Sequence, residues 1–270
     1  DARSRCDQHN IRIISVEKNG STAFAVYGYM NRGAHEGEVG VDIYYYDIEK
    51  NVVQEKAFIP STKSFAIAEE ELGKMVYYNQ DQNLSYILAG GKFYKIDLTK
   101  DEQTVLAKNL EEGQYTVSAD GHLIAYQTSG TINTAQEIKV LNLKTDEENA
   151  VAAKSGEAIR PLGFIGSDFV YGYLRQEDVG HTAAGGELFP MYELEIRNSE
   201  NEVMKTYSAD QIYISDVFIE ENMMTLNRVV KSGETYTVTS QDYISSNEEK
   251  KTKSITLEAF STDLKESRCG

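Results

Sequence analysis

Turn residues recur along this chain at intervals that suit one kind of structure, a series of similar units built from short strands. Gly20, Gly73, Gly121, Ser167 and Asn222 each stand before an apolar strand-like run, at intervals of 53, 48, 46 and 55 residues. A second marker, a polar residue late in a third strand, falls at Asp47, Asp97, Asn142, Glu195 and Asp242, at intervals of 50, 45, 53 and 47. A repeat of about 40 to 50 residues is the spacing of β-propeller blades, in which each sheet is shielded by the next. The two markers agree on five units, at about 11–60, 61–110, 111–157, 158–210 and 211–262, between tails at 1–10 and 263–270. The expected fold is therefore all-β: a propeller of four-stranded antiparallel blades in a single domain, either complete with five or part of a larger ring.

The third unit states the pattern most plainly. Strands are expected at 115–118, 123–127, 138–143 and 149–153, because β-branched and aromatic residues fill them. Asp120-Gly121, Ser129-Gly130 and Lys144-Thr145-Asp146 punctuate them. Asp120 and Gly121 are expected to take the positive φ of a tight hairpin. Ile138 and Val140 fall on one face of their strand and Leu141 and Leu143 on the other, which predicts a sheet covered on both sides. Pro60 and Pro161 fall at unit junctions, where a ladder does not need their missing N–H. Ser254 to Phe260 reads as an outer strand of the last unit. The acidic stretches near Glu70 and Glu148 lack a sustained helical apolar period.

The segment Ser118-Ala119-Asp120-Gly121-His122-Leu123-Ile124-Ala125-Tyr126, followed by Ile138-Lys139-Val140-Leu141-Asn142-Leu143, resembles the repeat of the TolB-type β-propellers. The other units keep the period but replace Asp-Gly with Asn19-Gly20, Leu72-Gly73, Ser167-Asp168 and Glu221-Asn222. The resemblance implies a propeller and an interaction role outside the cytoplasm. It brings no catalytic residue, because the shared motif is a turn.

Forty-three acidic against 27 basic residues give a formal charge of −16, which argues against nucleic-acid binding and adsorption to anionic membranes. Any membrane attachment would come through a segment outside this chain, and the DARSRC opening reads as a mature product or an excised piece. Eighteen Tyr, nine Phe and no Trp point to tyrosine-filled interfaces between sheets rather than sugar-stacking platforms. Cys6 and Cys269 stand at opposite ends of the sequence. In a closed ring they would meet, and a disulfide there would stabilise by about 4 to 5 kcal/mol and imply an oxidising compartment. Two free thiols are the alternative.

One oddity is nested in the repeat. Unit one reads Tyr27-Gly28-Tyr29, then Arg32, His35, Glu36 and Glu38; unit four reads Tyr171-Gly172-Tyr173, then Arg175, Asp178, His181 and Glu187. Both stretches are glycine-rich loops between second and third strands, expected to rim one face and to form a partner or ligand site. A metal held by His35, Glu36, Asp178 and His181 is conceivable, yet no spacing has the force of His-Glu-x-x-His, so no metal and no cofactor is assigned. No Gly-x-Ser-x-Gly elbow or Walker loop occurs. The reading is a non-catalytic binding or scaffold domain of a secreted or membrane-anchored bacterial protein. Its partner is an unidentified protein, small molecule or glycan. The alternatives are a propeller glycoside hydrolase, which would need a carboxylate pair across the channel, and a spacer or gate for another domain.

Overall fold

The structure, a computed structural model, describes residues 9–61, 75–100 and 102–245. Cys6, Cys269 and the 254–260 strand expectation lie outside the described residues. The first unit is a four-stranded antiparallel meander of β1 (His9–Val16), β2 (Thr22–Tyr29), β3 (Val39–Asp47) and β4 (Val52–Ser61). The second contains β5 (Met75–Asn79), β6 (Leu84–Ala89), β7 (Lys92–Asp97) and β8 (Glu102–Ala107). The third contains β9 (Tyr115–Val117), β10 (Leu123–Gln127), β11 (Glu137–Asn142) and β12 (Glu147–Ala152).

Units four and five depart from this simplicity, because one ten-stranded sheet runs through both. Unit four supplies β13 (Glu157–Ile165), β14 (Asp168–Arg175), β17 (Met191–Arg197) and β18 (Val203–Ser208), with the short hairpin β15 (Gly180–Thr182) and β16 (Glu187–Leu188) inserted after β14. Unit five supplies β19 (Ile212–Glu220) and β20 (Met223–Ser232), with β21 (Thr235–Val238) and β22 (Asp242–Ser245) both lying along β20. A single pairing, Met191 with Ile214, joins β17 to β19, and β15 lies parallel to β21.

Strand alternation explains the stacking. In β10, Ile124 and Tyr126 point to one face and Ala125 to the other; in β11, Leu141 and Ile138 do the same. Ile124, Tyr126, Leu141 and Leu143 pack against Leu84, Tyr86, Leu88 and Phe93 of unit two. Ala125, Ile138 and Val151 pack against Ile159, Phe164, Phe169, Tyr171 and Tyr173 of unit four. The third unit is thus sealed on both faces, as its apolar pattern requires. Ala25, Val41, Ile43 and Ile59 of unit one meet Ile87, Ala89, Tyr94 and Ile96 of unit two. Val170, Leu174, Met191 and Leu194 of unit four meet Ile214, Met224, Leu226 and Ile244 of unit five. Five successive units, the last two sharing one sheet, stacked through four apolar junctions, make this a β-propeller arrangement.

Polar side chains set the register across these junctions. Asn79 donates to the carbonyls of Leu143 and Lys144, and Tyr86 donates to Asp146, which also pairs with Lys95. The buried Gln127 donates to the carbonyl of Ile159.

The polar residues late in the third strands have specific jobs. Asp47 Oδ1 accepts from the amides of Glu49 and Lys50, Asp97 Oδ1 from those of Thr99 and Lys100, and Asn142 Oδ1 from those of Lys144 and Thr145. Each is an Asx turn closing the third-to-fourth hairpin. In unit four that job belongs to Asn198, whose Oδ1 accepts from Glu200 and Glu202, and not to Glu195, which accepts from the Tyr171 hydroxyl. In unit five Asp242 opens β22 and binds Tyr207 and Arg228 instead. At the first hairpin of unit three only Gly121 takes positive φ, 74°. Asp120 accepts from Ser118 Oγ and the His122 amide, which frees it from the left-handed region. Two further expectations shift: β1 begins at His9, inside the stretch assigned to the leading tail, and Pro161 lies within β13 beside a bulge.

Candidate functional site

The loop after β2 folds back on its own sheet. Met30 N–H donates to Glu38 O and Gly37 N–H to Met30 O, so residues 30–38 close as a compact loop. His35 carries it onto the sheet: its ring stacks on Phe58 with centroids 3.7 Å apart, and its Nε2 is 3.0 Å from Glu55 Oε1. Its Nδ1 is 3.6 Å from Glu38 Oε2. Gly40 makes room, since a Cβ there would lie 2.8 Å from the Phe58 ring and 2.4 Å from the Ile59 carbonyl.

Beside this cluster sits Asp42, which is 1% exposed. One carboxylate oxygen accepts from the Tyr44 hydroxyl at 2.5 Å, and the other has no hydrogen-bond partner. Burial, opposed by that hydrogen bond and reinforced by the Glu55 charge, pushes the Asp42 pKa up to about 6. The same burial raises the Tyr44 hydroxyl, which stays a donor.

Asp42 and Tyr44 mark the face of unit one turned away from unit two. Much of the rest of that face is apolar, exposed on β1 and half-buried on β2. Ile11 pairs with Val26 and Ile13 with Phe24, which faces Tyr44 across β3. Ile11 is 63% exposed, Ile13 64% and Val16 62%. A groove of about 310 Å³ runs here, lined among others by His9, Phe24, Tyr29, Arg32, Tyr44 and Val53. The sequence carried a signal for it: β2 reads Ala23-Phe24-Ala25-Val26, with the bulkier side chains on the face that no other described unit covers.

Of the residues expected in the site, Arg32 lines this groove, His35 and Glu38 hold the loop, and Glu36 is exposed. The other four are elsewhere. Arg175 bonds Glu157 Oε1 at 3.1 Å and lies 3.6 Å over the Tyr192 ring. Asp178 is buried, accepting from the Tyr213 hydroxyl on its carboxylate and from the Tyr236 hydroxyl on its carbonyl. His181 and Glu187 face each other in the β15–β16 hairpin with exposed side chains. Among the described residues no hydrogen bond, ion pair or ring contact joins loop 30–38 to residues 175–189.

No group of three or more His, Cys, Asp or Glu among the described residues is arranged to hold a metal ion. No helix among them is long and apolar enough to cross a membrane. A second cleft, of about 340 Å³, opens between units three and four beside Asn142, Asn149 and Arg197. Its polar groups are already engaged: Asn149 donates to Ser199 O, and Arg197 to Tyr171, Asn201 and Glu195.

No known family matches the chain, and no curated relative does. Among solved structures it is similar to dipeptidyl peptidase 4 of Porphyromonas gingivalis, at 9% identity over 83% of this chain and 45% of that one, with a TM-score of 0.28. It is similar to the β-propeller domain of the trilobed protease of Pyrococcus furiosus, at 10% identity over 84% of this chain and 69% of that one, with a TM-score of 0.33. The tricorn protease gives 13% identity, 83% and 24% coverage and a TM-score of 0.34. The chain thus spans less than half of the dipeptidyl peptidase and about a quarter of tricorn. Likenesses this weak carry no argument about function, and the fold rests on the strand order and the four junctions.

Proposed function

We propose that this chain is a non-catalytic propeller-type scaffold domain that binds another protein through the open face of unit one, and that it works outside the cytoplasm. The observation that carries the binding reading is the run of Ile11, Ile13, Val16, Phe24 and Val26 on a face where interior units bury their equivalents. Apolar sheet surface of this kind is a recognised mark of protein contact. Loop 30–38 borders the face, and Arg32 offers it a charged rim residue. The non-catalytic reading is supported by the employment of the conspicuous polar groups: Glu157, Glu195, Asp178 and Asp146 all hold neighbouring elements. Placement outside the cytoplasm is supported by the TolB-type turn of unit three.

A photoreactive phenylalanine analogue in place of Phe24 tests the binding reading. A defined protein adduct is expected from this position and none from the same analogue at the solvated Met204. Equal labelling at both positions, or none at Phe24, overturns it. Release of sugar from a glycan panel by the purified chain would overturn the non-catalytic half.

A further inference from the structure

Each of the four junctions consumes one face of an earlier unit and the opposite face of the next. Five units joined four times leave one face of each kind unspent: the open face of unit one and the far face of unit five. The far face is fixed by register. Ile244, Met224 and Leu226 point into the junction with unit four, so Phe218, Met223 and Tyr243 point away from it. Phe218 and Tyr243 flank Thr225 across three strands, and they are 58% exposed each, with Met223 at 45%. Among the described residues, neither end face covers the other.

We propose that the partner of the open face is a second copy of this chain, docking head to tail so that the Phe218–Tyr243 face of one molecule covers the Ile13–Phe24 face of the next. This rests on the binding reading above and names its partner. The occupant follows from continuity: a far face meeting a first face is the contact that the chain makes four times internally. Three further features agree with it. Both surfaces are antiparallel sheet, both expose apolar side chains, and the charged residues at their borders are opposite in sign, Arg32 on one and Glu220 on the other. A head-to-tail contact is heterologous, so it propagates to a ring or a filament unless one face is blocked.

Blocking one face at a time therefore tests it. Ile13→Asp disables the first face, and Phe218→Asp with Tyr243→Asp disables the far face; all three side chains are more than half exposed, so the fold survives them. Light scattering on the unsubstituted chain should show a mass that rises with concentration above 30.3 kDa. Each variant alone should be monomeric, and an equimolar mixture should form a heterodimer and nothing larger, because only one functional junction remains. A mixture that stays monomeric overturns the proposal, as does an unsubstituted chain that is monomeric at every concentration. A photoreactive analogue at Phe24 then separates the two levels. Adducts to a different protein keep the binding reading and end the self-docking one, and no adduct of any kind ends both. Ile13→Ser, a milder change, should weaken association by at least tenfold with the same melting temperature, which excludes misfolding as the cause of a monomeric Ile13→Asp variant.

Discussion

Two loops leave the ends of nearly identical strands, Tyr27-Gly28-Tyr29 and Tyr171-Gly172-Tyr173, and go to different places. Loop 30–38 turns back over its own sheet and buries Asp42 beneath His35 and Phe58. The stretch 176–188 reaches away from unit four and adds β15 to the edge of β21 in unit five. The difference lies in what is within reach. Unit four has a successor with an open strand edge, and backbone pairing captures the loop there. Loop 30–38 settles instead on the aromatic surface of its own sheet. One loop gains a ladder and two tyrosine hydrogen bonds, and the other gains ring stacking at the cost of an enclosed carboxylate.

The contrast is broken most forcefully at Gly180. A Cβ there would lie 2.5 Å from the Glu234 carbonyl and 2.8 Å from the Tyr236 ring. Gly180→Val should therefore cost about 3 kcal/mol and detach β15, seen as lost amide protection at His181 in hydrogen exchange; retained protection would show that the hairpin does not depend on close approach. The second effect is at Asp42 and depends on pH. Its folded pKa, about 6, exceeds its unfolded value of 3.8, so the folded chain binds the extra proton between these values and stability falls as pH rises through that window. His35, Glu55 and Tyr44 are the charged or titratable groups that face it. Asp42→Asn should raise stability by about 2 to 3 kcal/mol at pH 8 and leave it unchanged at pH 3; urea titrations at both values check this, and an equal gain at both would assign the effect to packing. Third, Tyr236→Phe removes the hydroxyl that donates to Asp178 O and should cost about 1 to 2 kcal/mol in thermal unfolding. The smallest effect belongs to His35→Ala, below about 1 kcal/mol because its bonds are near the surface; loosening of loop 30–38 should show as faster exchange at Gly37 N–H.

The repeat, the fold and the strands of unit three were legible because alternation and turn chemistry are local. Leu141 and Leu143 on one face and Ile138 on the other already require two neighbours. Glu195 stands late in the third main strand of unit four, as the spacing required, but the Asx turn there belongs to Asn198, three residues on, and spacing alone does not distinguish a polar residue that caps a turn from one that binds Tyr171. The paired loops illustrate a related point. Their residues announce where the chain leaves the sheet, but destination depends on partners far along the sequence, such as Tyr213 and Tyr236 for Asp178. The open face of unit one was visible only as bulk at Phe24 and Val26, which reads as core until the neighbouring sheet turns out to lie on the other side.

The parallel pairing of His181 with Thr235 has a consequence for how the chain is made. As it leaves the ribosome, the first three units can close in turn, each using residues already synthesised. The fourth stays unfinished until more than fifty further residues have emerged, with its hairpin idle and one edge unsatisfied. A stop or slow passage of translation inside residues 189–235 would leave β15 without the strand it lies along.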